Sequence, residues 1–167
     1  MTTKKLETYH TKRDFNKTAE PKGEITASGK NIFVIQKHNA SHLHYDLRLE
    51  VDGVLKSWAV PKGIPKAYDE KHLAIQTEDH PLEYAKFEGI IPAGEYGGGT
   101  VKIWDSGTYE QIISENKPQK DMPSALKHGS IKFRFKGKKF KGTYAMIRFK
   151  EEHNKSEWLI FRIAKDA

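Results

Sequence analysis

The 167-residue sequence predicts a mainly β chain, an antiparallel β-barrel with a few short helices and an N-terminal arm. Three observations carry this. Roughly nine short segments alternate polar and apolar residues, the period-two signature of strands with one buried face. Turn-forming residues separate them, most sharply at Asp52-Gly53. Aromatic residues make up 11% of the chain, enough bulk for one core at this length. An open sandwich is the alternative arrangement of the same strands.

Residues 1–30 are polar, charged and weakly patterned, and read as an arm that docks near the site; residues 31–167 read as a single barrel domain. Ile32 to Gln36 is a short apolar strand. From 43 to 51, Leu43, Tyr45, Leu47, Leu49 and Val51 point one way and His44, Asp46, Arg48 and Glu50 the other. Asp52-Gly53 predicts a type I′ hairpin turn into Val54–Val60. That turn pairs Val51 with Val54, Arg48 with Ser57 and Asp46 with Ala59. Pro61 to Pro65 is a loop, and His72 to Glu78 alternates again. Pro81 opens a short helix, with His80 held extended before it. Ile91 to Gly99 is a glycine-rich turn that lacks the helix and lysine of a P-loop. Strands are expected at 100–104, 108–112, 131–136, 143–149 and 158–163. Asp121 caps a short helix through Lys127, closed by Gly129.

The net charge is +7 with a pI near 9.4, which favours a polyanionic partner. The absence of cysteine excludes disulfides, thiolate zinc sites and cysteine nucleophiles. No run of about 18 apolar residues occurs, and Met1 to Lys5 lacks the apolar core of a signal peptide. A cytoplasmic monomer without membrane association is the expectation.

The densest chemistry lies between His38 and Arg48. Alternate residues on a strand share a face about 6.5–7 Å apart, so His44, Asp46 and Arg48 form one row. His38, His44 and Asp46 are suited to a divalent ion, with positions left open for water and a substrate oxygen. Mixed nitrogen and oxygen donors favour Mn²⁺ or Zn²⁺ over Ca²⁺. Arg48 continues the row with a permanently charged phosphate ligand. The competing reading is a solvated polar sheet face. His80 and Tyr84 form a second constellation, with His80 at a helix mouth where N–H groups favour anions; a capping histidine beside a core tyrosine is its plain alternative. Lys132, Arg134, Lys136, Lys138, Lys139 and Lys141 either track a phosphate backbone or guard a solvated edge.

These motifs together resemble the 3′-phosphoesterase domain of bacterial ligase D and its free-standing relatives. The resemblance is strongest from Phe33-Val34-Ile35-Gln36-Lys37-His38 through Lys56-Ser57-Trp58-Ala59-Val60-Pro61-Lys62-Gly63. It continues in Glu78-Asp79-His80-Pro81-Leu82-Glu83-Tyr84, in Phe87-Glu88-Gly89 through Tyr96-Gly97-Gly98-Gly99-Thr100-Val101, and in Gly129 to Arg148. It implies a β-barrel with a crescent-shaped groove and a Mn²⁺-dependent activity on DNA or RNA-terminated 3′ ends of a primer–template duplex. Such enzymes remove a 3′-terminal ribonucleoside to leave a 3′-phosphate, then hydrolyse that phosphate to a 3′-hydroxyl. By this resemblance His38, His44 and Asp46 are the metal ligands. Arg48 and His80 contact phosphate and transition state, and Tyr84 supports the site. Arg13, Asp14 and Glu20 match an arm motif that folds back to the site, and Gln36, Lys62 and Glu78 match second-rank positions. His72 stands where the family usually carries arginine, which implies a weaker phosphate grip there.

A ligase needs a Lys-x-Asp-Gly nucleophile motif, and Glu50-Val51-Asp52-Gly53 has glutamate in the lysine position. The sequence thus reads as an end-healing enzyme that passes ends to a separate DNA ligase. The rival readings are a non-catalytic nucleic-acid-binding barrel with structural histidines and a metal-dependent ribonuclease that cuts internally.

Overall fold

Hairpin by hairpin, eight of the nine strands among the described residues close into a barrel. The computed structural model describes residues 3–23, 28–113, 121–153 and 155–163; the remaining parts of the expected arm and barrel domain lie outside the described residues. In chain order the strands are β1 (Ile32–Asn39), β2 (Leu43–Val51), β3 (Val54–Val60), β4 (Lys71–His80), β5 (Gly89–Ile91), β6 (Gly99–Gln111), β7 (Ser130–Gly137), β8 (Lys141–Glu152) and β9 (Lys155–Arg162). The order β1-β2-β3-β4-β9-β8-β7-β6 is antiparallel throughout, and a β1–β6 pairing closes an eight-stranded barrel. Closure leaves none of these eight strands with a free edge along the barrel. The short β5 pairs along the first part of β6.

The β2–β3 hairpin has the expected register: Val51 faces Val54, Arg48 faces Ser57 and Asp46 faces Ala59. Both turn residues have positive φ, 53° at Asp52 and 83° at Gly53, as a type I′ turn requires. The second helix, α2 (Met122–His128), is capped by the Asp121 carboxylate, which accepts from the Ser124 N–H at 2.9 Å; Gly129 ends it in the left-handed region.

Two expectations need correction. The strands expected at 100–104 and 108–112 are one continuous β6. The glycine between them, Gly107, lies against Gly137 of β7, where a Cβ would meet the Lys136 carbonyl at 2.3 Å. It marks a close strand crossing, not a turn. The arm, in turn, contains a helix, α1 (Thr3–Thr11), that its composition does not announce. Leu6 and Tyr9 are its fully buried contacts, and Lys5 donates to the Asp52 carbonyl at 2.7 Å.

The hydrophobic interior is divided by the barrel wall. Inside lie Ile35, Leu47, Leu49, Trp58, Phe133, Tyr144 and Trp158. Outside, a smaller cluster of Tyr9, Leu55, Tyr84, Phe87, Ile91 and Val101 fastens α1 and a 3₁₀ helix (Leu82–Lys86) to the outer face of β1–β4. That second cluster explains why Asp46, Arg48 and Glu50 are buried although they turn away from the barrel interior.

Candidate active site

The cleft opens on this outer face, between the arm segment that follows α1, the 3₁₀ helix and the loop 92–98. Strand register builds its first group. β1 and β2 place His38 opposite His44 and Gln36 opposite Asp46. One ligand atom from each of His38, His44 and Asp46 lies within 4.8 Å of the others.

The hydrogen bonds around the two imidazoles fix which nitrogens are free. His38 Nε2 lies 2.7 Å from the Gly97 carbonyl, which can only accept, so that nitrogen carries the proton. In a neutral ring the Nδ1 lone pair then faces Asp46 Oδ2 at 3.3 Å. His44 repeats the pattern: Nδ1 lies 3.2 Å from the His42 carbonyl and Nε2 lies 3.2 Å from Asp46 Oδ1. Two lone pairs directed at a carboxylate need a cation among them, and a backbone carbonyl orienting the far ring nitrogen is the usual support of a metal-bound histidine. Without a metal, a proton has to take that place, and the hydrogen bond to Asp46 raises the His44 pKa against the effect of burial. Burial alone would raise the Asp46 carboxyl; hydrogen bonds from His38 and His44 and the Arg48 charge outweigh it and hold the group well below the usual carboxylate range. The donor set therefore fits a divalent transition metal.

Arg48 adjoins this trio. Its Nε donates to Gln36 Oε1 at 2.8 Å, its Nη2 lies 3.5 Å from Asp46 Oδ2, and its guanidinium sits 4.7 Å over the Tyr84 ring. Gln36 is itself fixed, since its amide donates to the Tyr84 and Phe87 carbonyls. The guanidinium is thus held from one edge beside the cleft.

The arm supplies the opposite wall through Arg13. Its Nε donates to Glu20 Oε2 at 3.1 Å and its Nη1 to Glu78 Oε2 at 3.0 Å, with all three side chains almost wholly buried. Arg13 Nη2 lies 3.3 Å from His80 Nε2. A guanidinium can only donate, so His80 accepts there and carries its proton on Nδ1, 2.9 Å from the Glu78 carbonyl. Burial lowers the His80 pKa well below its ordinary value, and the Arg48 and Arg13 charges lower it further. The Tyr84 hydroxyl donates to Glu20 Oε2 at 2.5 Å, and burial raises its pKa. Burial would also raise Glu78, but the Arg13 charge outweighs it and lowers the group.

One irregularity lets β4 serve this wall. Leu55 faces His80 while Ser57 faces Thr77, so β4 spends one more residue than β3 over the same span. This bulge breaks the alternation, and Thr77, Glu78 and His80 all line the cleft.

Of the residues singled out in the sequence, His38, His44, Asp46, Arg48, His80, Tyr84, Arg13, Glu20 and Glu78 line one cleft, and Gln36 supports it from below. Three lie elsewhere. Asp14 is exposed and holds the turn after α1, accepting from the Asn16 N–H at 3.0 Å. Lys62 is exposed at the turn after β3. His72 has the strand parity of Ala74, which is in the barrel core, and its ring nitrogens face the Gly63 carbonyl and Glu70. The phosphate grip expected of His72 has no support in that placement. The positive charge around His80 comes from Arg13 and Arg48; the ring packs edge-on against Tyr84 at 4.6 Å and its nitrogens turn to Arg13 and the Glu78 carbonyl rather than to a helix mouth.

Sequence reasoning missed Tyr9, Tyr96 and the Gly97 carbonyl, and it placed Ser57 opposite Arg48 without its contact to His80 Nδ1 at 3.3 Å. Tyr9 packs on His80 at 5.1 Å and under the Arg13 guanidinium at 4.0 Å. Tyr96 meets Lys12 at the rim. Its position inside a glycine-rich turn was the available signal, since an aromatic there is costly to expose without a use.

Comparison with known proteins shows the family. A profile of the DNA Ligase D 3′-phosphoesterase domain matches residues 36–148. The chain belongs to that family. It is 49% identical over 161 residues to the multifunctional non-homologous end joining protein LigD of Mycolicibacterium smegmatis, covering 95% of this chain and 20% of that one. It is 48% identical over 162 residues to the LigD of Mycobacterium tuberculosis strain H37Rv, again covering 95% and 20%. The LigD of Pseudomonas aeruginosa is 45% identical over 166 residues, 98% of this chain and 19% of that one. The chain thus spans about a fifth of the length of these relatives.

Proposed function

We propose that this chain is a metal-dependent phosphoesterase that heals nucleic-acid 3′ ends in end-joining repair. It removes a 3′-terminal ribonucleoside from a primer strand, leaving a 3′-phosphate, and then hydrolyses that phosphate to the 3′-hydroxyl that a DNA ligase consumes. The observation that carries this reading is the pair of imidazole lone pairs converging on a buried, ionised Asp46, with Arg48 directly alongside. The names of the relatives, which speak of non-homologous end joining, support the cellular setting.

His38, His44 and Asp46 would hold the ion, for which Mn²⁺ is our assignment. Such an ion supplies Lewis-acid polarisation of a phosphoryl oxygen and an acidified water. The chain's own residues do the rest. Arg48, oriented by Gln36, offers its remaining N–H groups to phosphate oxygens and balances charge that develops on them. Arg13 offers further positive charge from the opposite wall. His80, uncharged between two arginines, orients and hydrogen-bonds; as a proton donor it would have to take up charge against both burial and those guanidiniums. Tyr84 locks Glu20, and Glu20 and Glu78 lock Arg13. Ser57 Oγ lies 3.3 Å from His80 Nδ1, but that nitrogen carries the proton and cannot act as the base for it, and the hydroxyl is fully buried, so direct attack by water is the expected route.

The test is product analysis on a 5′-labelled primer–template ending in one ribonucleotide, with Mn²⁺ or EDTA. The expected result is Mn²⁺-dependent shortening to a 3′-phosphate, then a 3′-hydroxyl. Binding without turnover across several metals would replace this reading with the non-catalytic binding barrel, and cleavage of substrates blocked at the 3′ end would replace it with an internal ribonuclease.

A further inference from the structure

The glycine-rich loop has two sides. On one, the Gly97 carbonyl holds His38 and Tyr96 borders the cleft. On the other, a pocket of about 700 Å³ opens between β5 and the turn after β1, with Gly97, Gly98 and Gly99 along its floor. Ala40, Ile91 and Gly97 line both spaces, so the pocket adjoins the metal group directly. Their linings differ in kind. The cleft is built from arginines, histidines and carboxylates; the pocket's only charged residue is Glu95. Glu95 is half-buried, and its carboxylate makes no hydrogen bond or ion pair among the described residues. At the rim Ile90 is 71% exposed, although Ile91 beside it is buried.

We propose that this pocket binds the departing ribonucleoside, with the Glu95 carboxylate accepting hydrogen bonds from its 2′- and 3′-hydroxyls and Ile90 flanking its base. The inference rests on the phosphoesterase reading above. In the diester step, water adds its oxygen to phosphorus, the bond from phosphorus to the nucleoside 5′ oxygen breaks, and that oxygen leaves with a proton. The polymer keeps the phosphate. The leaving group is therefore an uncharged nucleoside with a free vicinal diol. A space without cations, next to the phosphate position and carrying one carboxylate with two acceptor oxygens, matches it. Glu95 would repel a further phosphate of the polymer strand, which places the polymer on the Arg13 and Lys12 side. The second step, hydrolysis of a 3′-phosphate, has no nucleoside to hold, so Glu95 matters to one step only.

The test compares wild type with Glu95→Ala on three primers ending in a ribonucleotide, a deoxyribonucleotide and a 3′-phosphate. Loss of the charge-assisted hydrogen bond to the 2′-hydroxyl, the one group the two nucleotides do not share, lowers the ribonucleotide-over-deoxyribonucleotide preference about tenfold or more. Hydrolysis of the 3′-phosphate stays at the wild-type rate, which also reports an intact fold. An unchanged preference, or an equal loss on all substrates, overturns the proposal. Titration with adenosine and 2′-deoxyadenosine, read by amide resonances of Gly94, Gly97, Gly98 and Gly99, separates this proposal from the larger one. Wild type is expected to respond more strongly to adenosine, and Glu95→Ala equally weakly to both. No response in wild type overturns the pocket assignment whatever the turnover assays give; a wild type that responds but turns over no substrate overturns the phosphoesterase reading instead.

Discussion

At His80, hydrogen-bond polarity, burial and charge give one answer. Arg13 donates to Nε2, the Glu78 carbonyl accepts from Nδ1, and both bonds require an uncharged ring. The sign of the stability effect follows. The unfolded chain takes up a proton here as pH falls through about 6.5, whereas the folded chain resists until well below it. His80 thus lowers stability progressively on acidification, by at most about 1.4 kcal/mol per pH unit. His44, raised by Asp46, acts oppositely: its contribution is present at low pH and is lost as pH rises through its folded value. Comparing wild type with His80→Asn leaves the His44 contribution in both. The variant is expected to lose less stability than wild type as pH falls from about 7.5 to 5.5. Denaturant unfolding across that range measures it, and parallel slopes would show that His80 is charged in the folded protein. The identity of these groups was legible in the sequence because three of the eight histidines crowd into residues 38–44. Their protonation was not, because it depends on Arg13 and the Gly97 carbonyl, which are distant in sequence.

Among the elements, those defined by local chemistry were the readable ones. Asp52-Gly53 fixed the β2–β3 register, and with it the placement of Asp46 over Ala59 and of Arg48 over Ser57. Asp121 and Gly129 bounded α2. What the sequence hid depends on tertiary contact. Helix α1 has no regular apolar stripe beyond Leu6 and Tyr9, and its place is set by Arg13, Glu20 and Glu78. The bulge in β4 breaks the alternation, so that Thr77 lines the same cleft as its neighbour Glu78 and as His80. Removal of Arg13 leaves Glu20 and Glu78 as buried carboxylates without their partner. Arg13→Ala is therefore expected to cost about 3–5 kcal/mol, read as a lower denaturation midpoint, and to abolish the ordered wall of the cleft. A loss within about 0.5 kcal/mol, the range of ordinary surface substitutions, would mean that the arm does not dock in solution.

Across the whole molecule, a closed barrel gives the site a rigid floor while a separate outer cluster supplies its walls. The two parts have different loads: barrel residues such as Trp58 and Tyr144 carry the fold, and the outer face carries chemistry. The net charge of +7 predicts that binding to a primer–template weakens as salt rises, with log affinity linear in log salt, and that chelation leaves this binding largely in place while ending turnover. Gel-shift titrations with and without EDTA at several salt concentrations check both statements. The central claim is that His38, His44 and Asp46 bind the ion that drives phosphoester hydrolysis. Its most direct test is a calorimetric Mn²⁺ titration of wild type and His44→Ala, run beside turnover of the ribonucleotide-ended primer. The account predicts one bound ion per wild-type chain, with activity rising in step with occupancy. In the variant both are lost, by more than the roughly 10–100-fold cost of losing a mere supporting partner, while the barrel stays folded. Activity that survives EDTA, or a variant that binds Mn²⁺ and turns over like wild type, would contradict it.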